Sequence, residues 1–157
     1  MNENPAIDKD TRYHTAESFK NTEIARYISK SLASENKDPF GAFLMVLDRK
    51  YFGSSDEEKS AAAQKLKEII DAVKVPAFAK PERIVSFDVK AREENQFYML
   101  TRVAEDSDCD MLRKELYSEL VVKGYNNVRI AAKSFNPAQQ LQVTPHSVTK
   151  DLEKLLS

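Results

Sequence analysis

The most suggestive chemistry in the sequence lies in Glu105-Asp106-Ser107-Asp108-Cys109-Asp110, where carboxylates at the expected end of a strand could gather a hard cation. Asp106, Asp108 and Asp110 have the alternate spacing that opens a calcium loop. The remainder of such a loop is missing. Met111 stands sixth, where glycine makes the sharp turn, and Tyr117 twelfth, where a bidentate glutamate closes the shell. Aspartates beside Ser107 at a helix start also satisfy free amides and complement the helix dipole. Capping therefore outweighs metal binding for all three, and no cofactor is expected.

Cys109 falls in the first turn of that helix, where the dipole favours a thiolate. Four nearby carboxylates oppose a further anion. Only His14, in an expected tail, and His146, at an expected helix start, could pair with it as in a Cys-His enzyme. As ordinary surface histidines they need no such role. Gly41, Gly53 and Gly124 stand apart, so neither common phosphate-cradling glycine loop is present. The adjacent acids Glu57-Glu58 and Glu93-Glu94 read as solvated charge.

One further constellation depends on strand alternation. Lys90, Arg102, Arg129 and Lys133 could stand near Tyr98 on one sheet face, a basic and aromatic platform of the kind that binds single-stranded nucleic acid. Asp88 shares that face, and no nucleic-acid consensus accompanies it.

These side chains need a frame, and Arg83 to Phe135 supplies it. Val85, Phe87 and Val89 alternate with Ser86, Asp88 and Lys90, the period of a half-buried strand. The polar run Ala91 to Asn95 predicts a hairpin loop longer than two residues, and Phe97, Met99, Thr101 and Val103 predict the return strand. Leu112, Leu116 and Leu120 mark an amphipathic helix that stops at Gly124. Val128 to Phe135 is the last strand, giving three strands covered on one face. Upstream, Phe19, Ile24, Tyr27, Ile28 and Leu32 predict a helix from Thr15. Asp38-Pro39 followed by Phe40, Phe43, Leu44, Leu47 and Tyr51 predicts a second helix, with Leu44 and Leu47 in the core. Ser55 and Glu58 have capping-box spacing for a third. Thr144-Pro145 opens a C-terminal helix.

The expected architecture is α+β: a three-helix N-terminal layer, then a small, mostly antiparallel ββαβ unit and a C-terminal helix. Residues 1–14 are expected as a flexible tail before a single compact domain, 15–157, divided into a helical part 15–75, a linker 76–82 and a ββαβα part 83–157. Charged residues are 31% and hydrophobic ones 41%, an ordinary globular mixture. Residues 1–80 carry 13 basic and 13 acidic groups and residues 81–157 carry 11 and 12, so neither half has a basic footprint for nucleic acid or an anionic membrane. The longest apolar run is too short to cross a bilayer, the first residues lack signal-peptide order, and one cysteine fits the cytoplasm or another reducing compartment. With no catalytic set assembled in sequence, the expected role leans away from catalysis: a protein-recognition module, whether adaptor, chaperone-like or regulatory, with another protein as partner. The alternatives are a single-stranded nucleic-acid-binding domain using the basic face and a small carboxylate- or thiol-dependent enzyme.

Overall fold

The computed structural model of the protein describes residues 6–156. Strand β1 (His14–Thr15) leads into a helix that runs as α1 (Ala16–Ser18), a π-helical turn (Phe19–Glu23) and α2 (Ile24–Ala33). Thr15 caps it by accepting from the Ser18 amide at 3.2 Å. Then come β2 (Phe40–Leu47), a short 3₁₀ turn (Arg49–Phe52) and α3 (Asp56–Ala72), whose Ser55–Glu58 capping box forms as the spacing predicts. β3 (Lys74–Pro76) and β4 (Ile84–Ser86) make a separate small antiparallel pair. β5 (Val89–Glu93), β6 (Gln96–Arg102), α4 (Asp106–Val122), β7 (Val128–Phe135) and α5 (Pro145–Leu156) complete the chain.

The main sheet has five strands in the order β1-β5-β6-β2-β7. All neighbours are antiparallel except β1 with β5. Both faces are covered, so the molecule has three layers. On one face Phe43, Met45, Leu47, Phe97 and Met99 meet Leu66, Ile69 and Ile70 of α3 and Leu112, Leu116 and Leu120 of α4. On the other, Phe40, Ala42, Leu44, Tyr98, Leu100 and Ala131 meet Phe19, Ile24, Tyr27 and the α5 residues Val148 and Leu152.

The fold is thus α+β, but its layout differs from the expected one. The segment expected as a second helix is the central strand β2, flanked by β6 and β7. A strand buried on both faces reads as one apolar run, and periodicity alone does not separate such a run from a buried helix. Leu44 and Leu47 are core residues at 2% and 1% exposure, on opposite faces of the sheet. The expected strand from Val85 to Val89 is divided between β4, in the small sheet, and β5. The run Ala91 to Glu93 is strand, and the connection shrinks to the turn Glu94-Asn95, since Glu93 pairs with Gln96. Of the expected tail, residues 1–5 lie outside the described residues, while Tyr13 packs edge-on to Phe97 and His14 and Thr15 add the parallel strand β1. Among the described residues no helix is long and apolar enough to cross a membrane.

Candidate functional site

The end of β2, the start of α3, the β5–β6 turn and the N-terminal segment converge on one cleft. After β2 the Asp48 carboxylate accepts from the Lys50 amide at 2.9 Å and starts the 3₁₀ turn. Gly53, at φ +68°, redirects the chain into α3. A Cβ at that position would stand 2.5 Å from a carboxylate oxygen of Glu58, so glycine is required by contact as well as by conformation. The β5–β6 turn is fastened to the end of β2 by two bonds: Asn95 Nδ2 donates to the Leu47 carbonyl at 2.7 Å, and the Leu47 amide donates to the Asn95 carbonyl at 3.1 Å. Arg49 then bridges to Glu94 at 3.0 Å across the two turns.

Arg92 ties the N-terminal segment to the same place. Its Nη1 lies 2.9 Å from Asp10 and 3.3 Å from Asp8, and its Nε donates to the Glu94 carbonyl at 2.9 Å. Asp8 is itself held in a tight turn, accepting from the Thr11 amide and hydroxyl at 3.0 and 2.6 Å, with Arg12 left-handed at φ +66°. The resulting cleft has a volume of about 430 Å³, with Phe52, Gly53, Asp56 and Asn95 among its lining residues. Its charged lining is Lys9, Arg49, Lys59 and Arg92 against Asp10, Asp56 and Glu94. Such a wall can bind a polar anionic molecule. Among the described residues no three histidine, cysteine, aspartate or glutamate side chains are gathered so as to hold a metal ion.

The acidic run singled out from the sequence lies at the start of α4, where each aspartate has a separate structural partner. Asp108 is buried and accepts from the Phe78 amide at 2.8 Å and the Glu105 amide at 3.0 Å, so the reciprocal cap is Glu105 with Asp108, not Ser107. Asp106 accepts from the Ser134 amide at 3.0 Å. Asp110 bonds Arg113 at 2.7 Å and Lys114 at 3.0 Å, which holds its carboxyl below the usual range. Cys109 is buried; burial first, then Asp106, Asp108, Glu105 and Asp110, push its thiol far up, so it is not a thiolate near neutral pH. His146 is exposed on α5, and His14 faces Glu23 at 3.7 Å.

The basic platform does not assemble. Tyr98 is 2% exposed, lies against Phe19 with centroids 5.3 Å apart, and donates to Gln96 at 2.9 Å. Lys90 pairs in register with Met99, which places it on the opposite sheet face, where it bonds Asp71 at 2.8 Å. Arg129 donates to the Leu156 carbonyl at 3.0 Å and Lys133 bridges to Asp151 at 2.9 Å, both on α5, while Arg102 stands 4.0 Å from Asp88. The expected face was wet; α2 and α5 cover it. Of the residues that do converge, Lys9, Arg49, Arg92 and Asn95 fall in segments expected as a tail, a helix end and a loop, and Lys59 in the first turns of the expected third helix. Asn95 carried the one local signal, as a residue suited to a tight turn.

No family model matches the chain, and no curated protein matches it by sequence. Solved structures match its fold. The GGDEF domain of DgcB from Caulobacter crescentus, solved in complex with c-di-GMP, aligns with a TM-score of 0.72 over 99% of this chain and 90% of its own, at 16% identity. A DGC protein from Thermotoga maritima aligns with a TM-score of 0.61 over 96% of this chain and 100% of its own, at 18% identity. The diguanylate cyclase SiaD from Pseudomonas aeruginosa, solved with its activator SiaC, aligns with a TM-score of 0.69 over 97% of this chain and 57% of its own, at 9% identity. These neighbours, a GGDEF domain and a diguanylate cyclase among them, overturn the expectation of a non-catalytic protein-recognition module, whether adaptor, chaperone-like or regulatory. Read in one-letter code, GGDEF spells Gly-Gly-Asp-Glu-Phe, a run this chain does not contain. What the likeness establishes is architecture: the chain has the fold of GGDEF domains.

Proposed function

We propose that the chain is a guanine-nucleotide domain of cyclic-di-GMP chemistry, of the cyclase type, and that its ligand occupies the cleft between the β5–β6 turn and the start of α3. The observation that carries this reading is the likeness in fold, over nearly the whole chain, to a domain solved with c-di-GMP. The cleft's chemistry is compatible with it. A volume of about 430 Å³ lies within the range of roughly 300–1,000 Å³ usual for small-molecule sites. Cationic side chains suit phosphates. Asp56 forms no ion pair among the described residues and lines the cleft. A carboxylate there can accept both N–H groups on the edge of guanine, whereas adenine presents a ring acceptor that it repels.

Calorimetric titration with GTP, c-di-GMP and ATP tests the reading. Saturable binding of the guanine compounds, tighter than that of ATP, is expected, and Asp56→Ala should remove the preference at unchanged thermal midpoint. The cyclase-type reading also expects c-di-GMP to form when GTP and magnesium are supplied, as followed by chromatography. Absence of binding by either guanine compound at millimolar concentration would overturn it.

A further inference from the structure

The cations of the cleft are not equivalent. Arg92, 7% exposed, is held through Nη1 by Asp8 and Asp10 and through Nε by the Glu94 carbonyl, and Arg49 is paired with Glu94. Lys9 and Lys59 also line the cleft, and among the described residues neither lies within 4.0 Å of a carboxylate. They come from different elements: Lys9 from the N-terminal segment, Lys59 from the start of α3. Lys9 stands between the two aspartates that Arg92 holds. The segment that carries Lys9 is therefore pinned at the cleft by a guanidinium with little contact with water, where ion pairs are screened less than on an open surface.

With Arg92 and Arg49 offset by Asp10 and Glu94, the charge left in the cleft is that of the two lysines against Asp56. Two flexible ammonium groups carried by different elements suit a di- or triphosphate, whose several oxygens they can meet as point charges. We infer that Lys9 and Lys59 form a two-point clamp for a nucleotide's polyphosphate, and that Arg92 is a positioning residue that binds no phosphate and sets Lys9 in place by holding Asp8 and Asp10. This rests on the guanine-nucleotide reading of the same cleft, and it makes the N-terminal segment part of the binding site.

The test is calorimetric titration of the full chain with sodium pyrophosphate, guanosine and GTP. Lys9→Ala and Lys59→Ala should each weaken pyrophosphate and GTP by about tenfold, a loss appropriate to one charge-assisted bond, and leave guanosine unaffected. Each should also flatten the salt dependence of binding. Arg92→Gln should weaken pyrophosphate as Lys9→Ala does, and adding it to Lys9→Ala should cost nothing more, because the two act through one group. Should Arg92→Gln lower the thermal midpoint, Asp10→Asn loosens the same anchor from the other side and is expected to give the same non-additivity. Unchanged GTP affinity in Lys9→Ala would overturn the clamp and leave the nucleotide reading standing. Lysine-dependent pyrophosphate binding with no saturable binding of GTP would mean that the lysines hold a free polyphosphate only, and would overturn both the nucleotide clamp and the nucleotide reading. Failure of both pyrophosphate and GTP to bind would overturn the clamp as well.

Discussion

Asp71 shows how one side chain secures the segment that carries Lys9. It accepts from the Tyr13 hydroxyl at 2.6 Å and from Lys90 at 2.8 Å, with Lys67 at 3.5 Å. Burial pushes its carboxyl up, but the bonds from Lys90 and Tyr13 and the charges of Lys90 and Lys67 outweigh it, so the net direction is below the ordinary value of 3.8. Tyr13 is pushed far up by burial, then by its bond to Asp71 and the charge there, so it remains a donor throughout the usable pH range. A carboxyl depressed in the folded state contributes stability above its unfolded value and loses it as pH falls through the folded one. The difference in urea midpoint between the parent protein and Asp71→Asn should therefore be constant above about pH 5 and shrink below about pH 4. Asp71 is about one-third exposed, so solvent screening limits the size of the effect. A difference that grows on acidification would contradict the assignment. The contacts of Asp71 with Tyr13 and Lys90 could not be read from sequence, because these partners lie 58 and 19 residues away. By contrast, the opposition of Asp106, Asp108 and Asp110 to a Cys109 thiolate was legible, since it acts within one helical turn; of the three expected caps only Asp108 serves the helix start, with Glu105, while Asp106 reaches the Ser134 amide and Asp110 pairs with Arg113 and Lys114.

At the scale of elements, local signals were read correctly where one face of an element is wet. α3 and α5 begin at Asp56 and Pro145, where the Ser55 cap and Thr144-Pro145 place them, whereas β7 is a strand over Val128–Phe135 whose expected wet face, with Ala131 and Phe135, is buried. β2 failed because it has no wet face, and its apolar residues satisfy helix spacing and strand burial alike. Its burial was legible even though its backbone was not. Leu44→Ala and Leu47→Ala should each cost about 2–5 kcal/mol through lost contacts and residual cavity, measured as the shift in chemical denaturation. Comparable losses from both sites are expected of a strand whose two faces serve two cores; loss at only one would mean that the other layer is not closely packed there. The turn at Glu94-Asn95 was hidden for a different reason. Glu94 is left-handed at φ +53°, a conformation usually reserved for glycine or asparagine, and it is held by the pairing of β5 with β6 rather than by local preference.

The whole molecule depends on one long-range fact, the insertion of β2 between β6 and β7. That insertion gives the sheet two covered faces, removes Tyr98 from solvent, and brings the end of β2 beside the β5–β6 turn so that Arg49 meets Glu94. Hydrophobic periodicity indicated an α+β chain and the charge balance a chain without a basic footprint, but strand order leaves no local trace, and the cleft therefore could not be assembled from the sequence. The central claim is that this cleft takes a guanine nucleotide, and amide chemical shifts of the isotope-labelled protein titrated with GTP test it most directly. The account predicts saturable shifts concentrated in residues 8–10, 49–59 and 92–96, at the meeting of the N-terminal segment, the start of α3 and the β5–β6 turn. Shifts centred on the small β3–β4 sheet, or none at a large excess of GTP, would contradict it.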